Sequence, residues 1–273
     1  MRIAIDVHLD YRFPEVADVL LQIEAAAMAD QRIEAESLVI RSDHPIRAVC
    51  GEEGIGQRCW ARAEQRLEAD YHAIVRVERQ PIDLEVLKNG PVRDLPSDLV
   101  RYLLPSRYCE SDRLEHFVRR EFAGLSGGAL AVALLGWVRG AIEYSSAATE
   151  PRGTALTTFA ERRGVCRDFA HLLVALARAG EIPARCVSAY APGVDPPDFH
   201  AVAELWLDGQ WRLVDPTGMA TANDLVRVAV GRDATDIAFM TIFGTATLRA
   251  QRVSVTRLVE GAAPKEQVAV LGR

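Results

Sequence analysis

The chain has 273 residues, of which 49% are hydrophobic and 26% charged, and its formal net charge is −6. This is the composition of a globular protein of one large or two ordinary domains, and the absence of any lysine- and arginine-rich block excludes a nucleic-acid surface. The longest apolar run, residues 129–138, is about half of what a membrane span needs, so no membrane association is expected.

The five cysteines (Cys50, Cys59, Cys109, Cys166, Cys186) are odd in number and contain no C-x-x-C, which speaks against a disulfide framework or a zinc ribbon. No apolar signal core follows Met1, so a cytoplasmic setting is expected. From Arg2 to Phe13 the odd positions Ile3, Ile5, Val7, Leu9, Tyr11 and Phe13 are apolar, a period of two that predicts a strand with one buried face. Val19–Ala25, Ile33–Ile40, Cys59–Leu67 and Tyr71–Val77 are further strand candidates. Together they predict an N-terminal antiparallel β-domain over residues 1–82. Gly51 to Gly56 lies in β-like sequence with no helix after it, so it is not read as a phosphate loop.

Pro81, Gly90, Pro91 and Pro96 mark a linker. Ser97 or Asp98 can cap a short helix running through Leu104 to Pro105, and Ser111 can cap another through Val118. The stretch Ala129–Tyr144 is apolar on nearly every side, which predicts a helix buried in a core. A further helix opens at Gly164-Val165-Cys166 and runs to Ala179, with Gly180 as its stop. Its apolar stripe holds Cys166, Phe169, Leu173 and Leu176, so the thiol points inward from the first turn, where backbone N–H groups and the helix dipole favour a thiolate.

Strands are then predicted at Ala184–Tyr190, His200–Leu207 and Gln210–Val214. Asp208-Gly209 is the two-residue signal of a type I′ hairpin and sets the register. Trp206 then faces Trp211, Glu204 faces Leu213, and Val202 faces Asp215. His200 becomes the diagonal neighbour of Asp215 on the same face, about 7–8 Å away backbone to backbone. A one-residue slip would put the two on opposite faces.

A thiol needs a base to act as a nucleophile near neutral pH, and the imidazole needs a carboxylate to hold its tautomer. Cys166, His200 and Asp215 are therefore the candidate nucleophile, base and orienting acid. The Cys166 N–H is one oxyanion donor, and the sequence does not identify the second. His171 points about 140° away from Cys166 on the helix and is read as structural. Asp168 is read as a partner of the helix dipole or of an arginine. Cys109 and Cys186 are read as packing, and Trp206 with Trp211 as a cross-strand pair. A metal site built from Cys166, His200, Asp215 and Cys186 lacks the close ligand pairs that zinc sites show, so no metal and no cofactor are expected.

The segment Gly164-Val165-Cys166-Arg167-Asp168-Phe169-Ala170-His171 resembles the nucleophile motif of the bacterial transglutaminase-like superfamily. Ile182-Pro183-Ala184-Arg185, Phe199-His200-Ala201 and Leu213-Val214-Asp215-Pro216-Thr217 follow in the family's order. The resemblance spans about Ser97 to Gly244, including Leu104 to Cys109 and Gly231-Arg232-Asp233. It implies an α+β, papain-like catalytic domain over residues 97–273, with the nucleophile helix packed on an antiparallel sheet and C-terminal strands able to return to it. It also implies a cysteine hydrolase or acyltransferase acting on amide bonds of peptides or proteins through a thioester. Hydrolysis is the leading expectation, ahead of transglutaminase transfer to an amine or a catalytically silent binding module. Many relatives carry an aromatic after the alanine at 201; Val202 stands there, which changes the cleft wall. Partner binding is expected, if anywhere, through the N-terminal β-domain.

Overall fold

The computed structural model describes residues 1–42, 44–145 and 153–258. The opening alternation becomes strand β1 (Arg2–Arg12), whose odd side chains from Ile3 to Leu9 are buried. It is followed by β2 (Ala17–Leu21), β3 (Gln31–Arg41), β4 (Arg47–Cys50), β5 (Gln57–Ala63) and β6 (Arg66–Val77). The expected strand Cys59–Leu67 is in fact two, separated at Glu64-Gln65 and placed in different sheets. The odd positions stay buried on both sides of that break, so the period of two carries no mark of it. The expected strand Val19–Ala25 ends at Leu21, and β4 has no buried residue to announce it.

The helical part comprises α1 (Ser97–Val100), α2 (Glu115–Glu121), α3 (Gly127–Ala141), the short strand β7 (Glu143–Tyr144), α4 (Ala155–Glu161), the short strand β8 (Arg163–Gly164) and α5 (Cys166–Ala179). Strands β9 (Ala184–Tyr190), β10 (His200–Leu207), β11 (Gln210–Val214) and β12 (Val226–Gly231) follow, then α6 (Ala234–Ile237), β13 (Met240–Phe243) and β14 (Thr247–Leu258). Among the described residues these strands form three four-stranded antiparallel sheets, in the orders β14-β1-β6-β3, β13-β2-β5-β4 and β11-β10-β9-β12. Among the described residues no helix is long and apolar enough to cross a membrane.

The helix buried on all sides is α5, not α3. In α5 every residue from Asp168 to Arg178 is buried, because the helix lies between the β9–β10 sheet and helices α2, α3 and α4. Phe169, Leu172, Leu173, Val174 and Leu176 alone contribute roughly 7–15 kcal/mol of gross burial, offset by the cost of ordering the chain. Helix α3 buries one stripe (Gly127, Gly128, Leu130, Ala131, Leu134, Val138) and exposes Val132. Gly180 does follow α5, for a different reason from the one expected. Its φ is −94°, the left-handed residue is Glu181, and a Cβ at 180 would lie 2.7 Å from Leu130 Cδ2. The α1 helix stops at Val100, one turn short of the expected Pro105 boundary.

A buried ion network ties the early strands to the third sheet. Glu204 of β10 is fully buried, with Arg185 Nε 2.7 Å from Oε2 and Arg227 Nε 2.6 Å from Oε1. Arg185 also pairs with Glu53 at 2.6 Å, and Arg227 with Asp30 at 2.8 Å. A carboxylate removed from water is tolerable only with such partners.

Candidate active site

The hairpin between β10 and β11 has the expected register: Leu207 faces Gln210, Trp206 faces Trp211, Glu204 faces Leu213, and Ala203 faces Val214. Asp208 (φ 49°) and Gly209 (φ 68°) both take the left-handed backbone of a type I′ turn, which only small or polar residues adopt cheaply. Continuing that register puts Asp215 opposite Val202 and diagonal to His200. Their side chains meet: His200 Nε2 is 3.0 Å from Asp215 Oδ2, and both groups are buried.

Asp215 is held on every side. Its Oδ1 accepts from Thr217 N–H (2.8 Å) and Thr217 Oγ1 (2.7 Å), and its Oδ2 also accepts from Ala220 N–H (2.9 Å). Arg139 of α3 donates to the Asp215 carbonyl at 2.6 Å. Burial by itself would raise the carboxyl, but the His200 hydrogen bond and charge, with the Thr217 and Ala220 donors, bring it below its ordinary value. The carboxylate accepts only, so Nε2 of His200 carries a proton. The other ring nitrogen, Nδ1, is buried without a hydrogen-bond partner, and the ring lies in contact with Cys166. Burial pulls the imidazole down; Asp215 and Cys166 outweigh it and push it up to about 9.

Cys166 is the first residue of α5 and is half-buried. Asp168 caps that turn by accepting from Val165 N–H (3.0 Å) and pairs with Arg167 at 3.0 Å, as its position in the first turn predicts. Gly164 has no room for a side chain, since a Cβ would fall 2.6 Å from the Asp168 Cβ. The helix packs on the face of the sheet formed by Cys186, Ala203, Leu205 and Leu207, whereas Val202 belongs to a second apolar cluster on the opposite face. By strand alternation His200 is on Val202's side, so thiol and imidazole meet at the end of the sheet, where α5 and β10 both begin.

His171 is structural. Its ring stacks on Tyr108 with centroids 5.2 Å apart, and its Nε2 accepts from Ala234 N–H at 3.0 Å. Full burial drives the imidazole down to about 3. Beside it, Cys109 and Cys186 bring two thiols and one ring nitrogen within 4.8 Å of one another, a convergence the sequence spacing did not show. The fit to a metal is poor. The Ala234 N–H takes the Nε2 lone pair and so puts the ring proton on Nδ1, leaving no free nitrogen lone pair for an ion. The segments Leu104–Cys109 and Gly231–Asp233 meet near here and away from Cys166. Arg178 of α5 donates to the carbonyls of Leu104, Ala184 and Arg232, and Asp233 accepts from Tyr108 N–H. Trp206 and Trp211 form the expected cross-strand contact, with ring centroids 5.3 Å apart.

A helix opening on a half-buried cysteine, packed on an antiparallel sheet that presents a buried His–Asp pair, is the papain-like architecture in its transglutaminase-like form. The sequence model of the transglutaminase-like superfamily matches residues 105–216. The solved structure of a protein from Cytophaga hutchinsonii, described as a candidate cysteine protease, is similar with a TM-score of 0.87 and 33% identity over 97% of this chain and 93% of that one. An uncharacterized protein of Mycobacterium leprae (strain TN) is 35% identical over 116 residues, 39% of this chain and 41% of its own length. The aligned region thus spans less than half of that curated relative. The chain belongs to the transglutaminase-like superfamily.

Proposed function

We propose that the protein is a cysteine-nucleophile enzyme that hydrolyses amide bonds of peptides or proteins through a thioester on Cys166. The observation that carries this reading is the buried His200–Asp215 pair with its imidazole against the Cys166 thiol. Nδ1 of His200 holds the proton taken from the thiol, as a ring raised to about 9 does in the neutral range, while Asp215 holds Nε2–H, and Sγ attacks the amide carbonyl carbon. The carbonyl π pair moves to oxygen. On collapse the C–N bond breaks, and the proton on Nδ1 leaves with the amine. Water then attacks the thioester with His200 again as base; the C–S bond breaks and the thiol is restored.

A peptide or protein substrate fits the family and the candidate protease from Cytophaga hutchinsonii. The five unpaired cysteines support a cytoplasmic setting. The two sheets built from residues 1–82 and the returning strands β13 and β14 are read as open to protein partners at the edges β3 and β4. The test is to trap the acyl-enzyme with a peptide library and locate the adduct by mass. An adduct on Cys166 that is lost in both Cys166→Ala and His200→Ala, and that decays in water without added amine, is expected. Decay only when an amine is supplied would make the enzyme a transferase. No adduct at all would remove the catalytic reading.

A further inference from the structure

The tetrahedral intermediate needs a second hydrogen-bond donor beside the Cys166 N–H, and the fold places a hydroxyl there. Strands β7 and β8 form a two-residue parallel pair in which Tyr144 faces Gly164, two residues before the nucleophile. Glu143 N–H donates to the Arg162 carbonyl (2.8 Å) and Ser145 N–H to the Gly164 carbonyl (2.9 Å), so the backbone on both sides of Tyr144 is tied to the chain that enters α5. The Tyr144 ring packs on Phe169 of the first helical turn, with centroids 5.9 Å apart. From that seat the phenol lies close enough to Cys166 for the backbone N–H and the thiol of that residue both to act on it.

An oxyanion formed by attack of Sγ must lie next to the Cys166 N–H, and the Tyr144 phenol lies beside that position. We propose that the Tyr144 hydroxyl is the second donor of the oxyanion hole, completing the site with the Cys166 N–H. The inference rests on the cysteine-nucleophile reading. No atom is transferred by Tyr144. As the S–C bond forms and the carbonyl pair moves to oxygen, that oxygen accepts the Tyr144 O–H hydrogen bond, and collapse of the intermediate releases it. Burial, and then the neighbouring Cys166 charge, push the phenol up to about 12, so it remains a protonated donor through the neutral range.

The test uses the full-length chain, its Tyr144→Phe and Cys166→Ala variants, and two probes whose adducts on the Cys166 peptide are quantified by mass. Iodoacetamide alkylates sulfur by displacement and forms no oxyanion, whereas p-nitrophenyl acetate acylates through one. In Tyr144→Phe the alkylation rate should stay within about threefold of wild type while the acylation rate falls roughly 10²–10³-fold, the loss typical of one oxyanion donor. Unchanged acylation overturns the proposal. So do equal losses with both probes, which would make Tyr144 a partner of the thiol alone, and faster acylation, which would make its hydroxyl a plug. A wild-type Cys166 that is alkylated but never acylated would overturn the thioester reading itself, and this inference with it.

Discussion

Replacing Asp215 by asparagine is the most informative perturbation of the site. The carboxylate accepts four hydrogen bonds, two on Oδ1 from Thr217 and two on Oδ2 from His200 and Ala220. An amide has one oxygen, so its NH₂ must oppose a fixed backbone N–H in either orientation, that of Thr217 or that of Ala220. In both orientations His200 loses the negative charge beside it while staying buried. Its imidazole should fall from about 9 towards the ordinary 6.5, with only Cys166 left to oppose burial, a loss of up to about 3 kcal/mol of preference for the protonated ring. A folded value raised above 6.5 contributes stability that is complete below that pH and is lost as pH rises through about 9. Wild type should therefore exceed Asp215→Asn most at pH 6, and by much less at pH 9.5. Urea unfolding at the two pH values, with NMR titration of the His200 ring, measures both quantities. A stability difference that does not change with pH, or a ring still titrating near 9 in the variant, would refute the reasoning.

Two further outcomes concern groups outside the proposed chemistry. Glu204→Ala leaves Arg185 and Arg227 buried without their shared carboxylate and should cost about 3–5 kcal/mol, read as a lower urea midpoint. His171 has the opposite linkage sign from His200. Its folded value near 3 means the unfolded chain takes a proton the native state refuses, so stability is full above pH 6.5 and falls by up to about 5 kcal/mol as pH drops towards 3. His171→Gln should flatten that slope between pH 6.5 and 4 in denaturation curves; an identical slope would remove His171 as its source.

The Cys109–His171–Cys186 convergence and the Arg178 clasp are contacts that motif order alone does not show. The segments around Leu104 and Gly231 fall within the stretch that resembles the family. They serve a different end, fastening the far side of α5 to the sheet through Arg178 and Asp233. Tyr144 is expected at the end of a helix: it sits instead in a two-residue strand, and its tie to Gly164 crosses nineteen intervening residues.

Local rules were enough wherever a side chain's position follows from its near neighbours. Asp208-Gly209 dictates a turn with two left-handed residues, and that turn sets every pair from Leu207–Gln210 to Ala203–Val214, carrying His200 to Asp215. The apolar stripe and Asp168 likewise define α5 with Cys166 at its start. Tertiary structure alone decided which helix is enclosed. It also put α5 on the sheet face opposite His200, so that thiol and imidazole meet around the sheet's end, and it paired Tyr144 with Gly164 beside Cys166. Those outcomes depend on how complete elements pack against one another, and packing complementarity between distant segments leaves no periodic trace in either of them.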